Sequence, residues 1–406
     1  MIKNKEKETS TRIVFGVVLA LFFFLCSDLY RKMALFPEVL DNYRSDVGIR
    51  LVQGGGGDVY SLFLMPLFFF HEKLGVLTGS DFIGAYLALF VVGTIVVVFL
   101  FLKTICKKNS TAILAIFAFL CMFVIAIPFP FGGNLYTVYC GAVWHNETYI
   151  GMRFFALLLL IFFYRKCNQY LNDFTIRDFF IECILFLLVN WVKPNFTIAF
   201  APAMLVMMIV DIVKTKGKGF VRWIMFGVPV LIGSLIFIYQ YVLLFPNSGS
   251  GNISSEESHV IVILDYFIKT QKYPIIYIVL GYAFPIIVFI FHFKEIIKSK
   301  FYLVCYLAWF FSFLEYVFLY ESGPRFYDGN FSWGLHFFTF LLFCLSVKHL
   351  IEDLCDFQLN RNRSNKTKIS KCDLMIVFET IIFSVHFIFG VVYFTQILLG
   401  RCGYWI

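Results

Sequence analysis

The chain has 406 residues, 60% of them apolar and only 15% charged, with a mean hydropathy of +0.82. A soluble domain is nearer half apolar and a quarter charged, so a single large soluble fold is excluded. The net charge of +8 does not point to a nucleic-acid partner, because the basic residues flank apolar blocks instead of forming a patch.

Those blocks are long enough to cross a hydrocarbon core of about 30 Å. Within such a core only a helix pairs all of its own backbone groups. In chain order the blocks predict spans at about 13–30, 82–102, 111–130, 149–164, 178–192, 196–213, 223–245, 274–293, 301–320, 332–350 and 374–399. The expected fold class is an all-α polytopic membrane protein of about 11 transmembrane helices, one transmembrane domain over 1–406.

The first block follows Lys3, Lys5, Lys7 and Arg12, and no small-residue cleavage site follows it, so it reads as an uncleaved helix. Pro194 separates two spans, since proline lacks the amide hydrogen that a continuing helix needs. Alternate connections are basic: Lys103, Lys107 and Lys108; Arg165, Lys166 and Arg177; Lys214 to Arg222; Lys294 to Lys300; Lys348 to Lys371. The positive-inside rule then places the N-terminus in the cytoplasm and the C-terminus outside, in a multi-pass membrane protein. The 348–373 stretch reads as a cytoplasmic linker, and the 11 cysteines form no C-x-x-C pair or disulfide framework.

The first extracytoplasmic loop, 31–81, is long and carries surface helices. Pro37 suits a helix start and Gly54 a stop, and between them Val39, Tyr43, Val47 and Leu51 recur every four residues on one face. This is the pattern of an amphipathic helix lying on a membrane. Asp46 falls at the edge of the apolar stripe, where desolvation raises a carboxylate toward the range of a general base. Asp41 projects away from the stripe and Asp58 follows the glycines, so they are the substitutes. The plainer reading of Asp46 is an ion pair with Arg50, four residues on. The apolar segment after Gly57, interrupted by Pro66, His71, Glu72 and Lys73, reads as a second surface or re-entrant helix.

Other polar groups gather on the same side. His145, Asn146 and Glu147 precede a span, and Arg153 lies one turn inside it. They fit acceptor hydroxyls or a phosphate, or else a helix cap with a snorkelling arginine. Lys193 sits in a tight turn beside a helix N-terminus, a place suited to an anion. Loop five concentrates Arg325, Tyr327, Asp328 and His336, and a planar guanidinium such as that of Arg325 grips two phosphate oxygens at once. Of the acids within spans, Glu182 and Glu379 lie near cytoplasmic ends and read as snorkelling, whereas Glu315 lies near an outer end and can face a polar cavity. His386 reads as a packing residue.

A first span, a long outer loop with an acid in an amphipathic segment (RSDVGIRLVQGGGGDVYSLFLMPLF), and roughly ten further spans resemble the GT-C superfamily of polytopic glycosyltransferases. The likeness is to the small bacterial enzymes that modify surface polysaccharides. The resemblance implies transfer of a sugar from a polyprenyl-phosphate donor to a glycan or lipid-linked acceptor, with inversion. It implies Asp46, or Asp41, as the base. It implies Arg325 on the donor phosphate, helped by Lys193 and Arg153. His145, Asn146, Glu147, Glu315, Tyr327, Asp328 and His336 are then the substrate-binding candidates. No D-x-D pair occurs in the first loop, so the cofactor is unknown and a divalent cation stays open; no metal ligands are assigned. The alternatives are a polysaccharide polymerase or ligase, and a transporter or lipid flippase. The first calls for several outer arginines in a large loop, the second for repeats and mid-membrane polar groups.

Overall fold

The computed structural model describes residues 2–35, 61, 63–107, 110–128, 139–244, 260–270, 272–323, 326, 329–363 and 371–400. The helices are α1 (Ile2–Leu35), α2 (Met65–Ile105), α3 (Thr111–Leu120), α4 (Glu147–Lys166), α5 (Ile176–Val192), α6 (Asn195–Lys214) and α7 (Phe220–Leu244). There follow α8 (Asp265–Thr270), α9 (Pro274–Gly281), α10 (Ala283–Phe291), α11 (Phe293–Ile296), α12 (Lys300–Phe318), α13 (Trp333–Arg363) and α14 (Lys371–Leu398). A short ribbon pairs β1 (Val260–Val262) antiparallel with β2 (Leu319–Glu321), Ile261 opposite Tyr320.

This is an all-helical, multi-pass membrane architecture. Among the described residues eight helices are long and apolar enough to cross a bilayer, nine if the α9–α10 pair, bent by 64°, is one span. Their outward faces carry exposed Ile13, Leu21 and Phe24 on α1 and Leu231, Leu235 and Ile238 on α7, as lipid contact requires. The apolar window of α7 is only 17% buried, whereas that of α13 is 100% buried, so α13 is the central helix. Around it α1 packs along α2, α2 on α4, α6 on α12, and α10 on both α13 and α14.

The remaining two expected spans, 178–192 and 111–130, are not among the eight. α5 has 17 residues, about 26 Å at 1.5 Å per residue. In the 111–130 block the helix stops at Leu120, a 3-10 turn covers Cys121–Phe123, and 124–128 run extended and largely buried. Non-helical backbone is tolerated at membrane depth only when protein satisfies it. Here Ala142 N donates to Val124 O (3.1 Å), Ile127 N to Leu280 O (3.1 Å), and His386 Nδ1 meets Ile125 O at 2.6 Å. The packing role expected of His386 is thus specific: it satisfies the broken span.

Beside that break, a Cβ at Gly390 of α14 would collide with the carbonyl of Phe123. Gly390→Ala is therefore expected to destabilise the fold by about 1–3 kcal/mol, the usual penalty of overpacking. A lowered melting temperature of the detergent-solubilised protein checks it.

Two further expectations are corrected. Of the expected linker 348–373, residues 348–363 continue α13, because Leu350 and Ile351 are buried and Leu354 packs on the core, 364–370 lie outside the described residues, and α14 begins at Lys371. The first loop begins later, since α1 runs to Leu35, and the second helix expected near its end is present: α2 begins at Met65, breaks at Gly75 (φ 76°) and continues as the span Leu77–Ile105.

Candidate functional site

The N-terminal ends of α4, α6 and α13 meet at one end of the bundle. Asn146 caps α4: its Oδ1 accepts from Tyr149 N at 2.8 Å and from the Thr148 hydroxyl at 2.9 Å. Lys193, in the turn between α5 and α6, donates to the same Oδ1 at 3.1 Å and to Thr148 Oγ1 at 3.0 Å. Its ammonium also sits 4.4 Å from the centre of the Trp333 ring. Lys193 is only 7% exposed, so the cation is held inside the protein by neutral acceptors and a ring face.

His145 and His336 flank the Trp333 ring at 5.7 and 5.2 Å between centroids. Burial drives the His145 pKa well below the usual imidazole range, and the nearby His336 and Lys193 push it the same way, so the ring is neutral at neutral pH. His336 Nδ1 meets Cys140 O at 2.6 Å, which gives Nδ1 the proton in the neutral ring and leaves Nε2 as an acceptor.

Roughly two turns deeper lies Arg153, which is 0% exposed. It does not snorkel. Its guanidinium carbon is 5.0, 5.6 and 5.8 Å from the ring centres of Tyr149, Phe340 and Trp144. Nη2 donates to Val143 O at 3.3 Å, while Nε and Nη1 have no hydrogen-bond partner among the described residues. The same holds for the buried Trp144 Nε1 and for the hydroxyl of Tyr30, which lies within electrostatic reach of Arg153 and Glu147. Indole and guanidinium N–H groups are donors only, and a phenol also donates. The chemical complement of such a set is an oxygen-rich anion. Tyr149 and Arg153 are four residues apart on one helix face, which sequence spacing shows; Tyr30, Trp144 and Phe340 reach Arg153 only through tertiary packing.

Asp46, Asp41, Asp58, Arg325, Tyr327 and Asp328 lie outside the described residues. The anchors of their loops do not. Ser61 donates to Trp191 O (2.8 Å), in the turn of helix just before Lys193. At the other end of that loop, Tyr30, Met33 and Ala34 of α1 are buried. Among the described residues flanking Arg325, Asn195 Nδ2 donates to Asn330 O (2.8 Å) and Asn330 Nδ2 donates to Glu321 Oε2 (3.1 Å).

His145, Asn146, Glu147, Lys193 and His336 are therefore brought together, with Arg153 beneath them. Glu315 is on the same end but on α12, 8% exposed, its Oε2 without a hydrogen-bond partner among the described residues and against Gly334. Glu182 and Glu379, expected to snorkel, are both 0% exposed, because each lies on the inward face of its helix. Among the described residues, the groups arranged to hold a metal ion are at the opposite end of the bundle. No family model matches this sequence, no curated protein matches it, and no solved structure matches the fold.

Proposed function

We propose that the chain is an integral-membrane glycosyltransferase of GT-C type, with about eleven spans and a cytoplasmic N-terminus. It takes a sugar from a polyprenyl-phosphate donor at the extracytoplasmic face, the face of Lys193. The observation that carries this reading is Arg153: a fully buried guanidinium with two N–H sites that no described residue accepts from. Taking such a cation out of water costs several kcal/mol unless an anion meets it. A ligand phosphate does so, and Trp144 and Tyr30 add donors of the same kind.

The rest of the site fits that use. The described residues that flank the segment of Asp46 lie near these cations, Ser61 on Trp191 beside Lys193 and Tyr30 within electrostatic reach of Arg153. The donor lies with its phosphate toward Arg153 and Lys193 and its lipid tail between helices. Asp46 takes the proton from an acceptor hydroxyl, the hydroxyl oxygen bonds to the anomeric carbon, and the C–O bond to the polyprenyl phosphate breaks on the opposite face. The released phosphate charge is met by the buried cations, a term that grows where water is excluded.

The test is mass spectrometry of lipid-linked and surface glycans from cells with and without the gene. Loss of one sugar-sized increment from the surface glycan, with accumulation of the lipid-linked sugar, is the expected result. Loss of chain length alone replaces transferase by polymerase, and unchanged glycans remove both.

A further inference from the structure

At the end of the bundle away from Lys193, five titratable side chains from three helices and the turn after α10 converge. His292 ends α10, Glu295 lies on α11, His349 and Asp353 lie on α13, and Glu379 lies on α14. On α13, His349 is roughly 24 Å from Trp333 at 1.5 Å per residue, so this cluster is remote from the site above. His292, Asp353 and Glu379 form one set whose ligating atoms all lie within 4.8 Å of one another; His292, Glu295 and His349 form a second. The two imidazoles stack, 4.4 Å between centroids and 26° between planes.

We propose that this cluster is a divalent transition-metal site, with His292, His349, Asp353 and Glu379 as ligands and Glu295 at its mouth. Spacing is the first argument. His292 Nε2 is 3.2 Å from Asp353 Oδ2 and 3.3 Å from Glu379 Oε1. Donor atoms held about 2.0–2.1 Å from a tetrahedral ion lie about 3.3 Å apart. Neither His292 Nε2 nor Glu379 Oε1 has a partner in hydrogen-bond geometry among the described residues, so the approaches are those of charges or of ligands converging on one point.

Burial is the second argument. Glu379 is 0% exposed, and among the described residues its second oxygen, Oε2, also lacks a hydrogen-bond partner, as does Nε2 of the buried His349. A carboxyl so deep in a bundle is either neutral or met by a cation, and the approach of His292 at 3.3 Å places Glu379 in the second class. Lys348, next along α13, does not serve, since its ammonium is committed to Glu352 at 2.8 Å.

Donor chemistry selects the ion. Two imidazoles with carboxylates suit zinc, manganese or ferrous iron, whereas magnesium and calcium favour all-oxygen shells. The side chain of Glu295 is 67% exposed and that of Asp353 20%, which gives an entry path from solvent. Once bound, the ion clips the α10–α11 junction and α14 to the central helix. α14 is the element with most to gain, its apolar window being only 28% buried. The role is structural or regulatory and does not rest on the glycosyltransferase reading.

The experiment uses the full chain in detergent, stripped with a chelator and dialysed, then titrated with Zn²⁺ or Mn²⁺ and with Mg²⁺ as control. Bound metal is measured by plasma mass spectrometry and stability by the melting temperature. One equivalent of Zn²⁺ or Mn²⁺ per chain and a raised melting temperature are expected, with no response to Mg²⁺. Glu379→Gln keeps the shape of the side chain and is expected to lose both the metal and the shift; His292→Ala is expected to do the same, and Lys294→Ala to change neither. No bound metal in the unaltered protein, or metal retained by both Glu379→Gln and His292→Ala, overturns the site. The readout is independent of any transfer activity.

Discussion

Asp46→Asn is expected to leave the amount and folding of the protein unchanged and to lower sugar transfer by about 10²–10⁴-fold, the usual contribution of a positioned base. Asparagine matches aspartate in size but has no basic lone pair to accept the hydroxyl proton. The competing account of Asp46 is a surface ion pair with Arg50, four residues on. Such a pair contributes only about 0.2–0.5 kcal/mol, so its loss does not change the rate of transfer by orders of magnitude. The two accounts therefore differ by far more than assay error. Initial rates with a lipid-linked sugar and purified protein in detergent decide between them. Full activity in Asp46→Asn removes this residue as the base, and Asp41→Asn is then the variant to measure.

Apolar block length made the multi-pass architecture legible, because bilayer thickness sets a length that no other feature of the chain imitates. It misled in the 111–130 block for an instructive reason. An extended segment buried in protein is as apolar as a helix buried in lipid, and what separates them is a set of partners far off in sequence. Leu280 and His386 are those partners, and neither lies near Ile125 or Ile127 in the chain. The 348–363 segment failed in the opposite sense: its charges looked like a solvated linker, but Lys348 and Glu352 pair with each other while Leu350 and Ile351 face the core.

The candidate site was legible as a collection of polar residues and not as an arrangement. The short distance in sequence from His145 to Arg153 shows those residues as neighbours, and the capping role of Asn146 follows from its position before a helix. That Lys193 joins the cap, that Trp333 covers its ammonium, and that Arg153 is sunk among three rings all depend on α6 and α13 arriving from elsewhere. The metal cluster is the extreme case. His292, Asp353 and Glu379 lie on separate helices with no ligand spacing in the chain, so only the packing of α10, α13 and α14 reveals it.

Arg153→Met is expected to abolish most of the transfer activity, by about 10²–10³-fold, while leaving the fold as stable as before or more so. Methionine fills the volume with an apolar chain that suits Tyr149, Phe340 and Trp144. The ring contacts it forgoes are each about 0.5–2 kcal/mol, and the one hydrogen bond to Val143 is long at 3.3 Å. Against them stands the several-kcal/mol penalty of burying a guanidinium to which no carboxylate among the described residues is hydrogen-bonded. If Arg153 instead serves only to brace α4 against α13, the same variant must melt earlier and transfer normally per folded molecule. Arg153→Lys separates charge from shape: it keeps a cation but not the planar fork, so intermediate activity with weaker donor binding is expected. Melting temperature and initial rate, measured on the same preparation, distinguish a group retained for a ligand from one retained for the fold.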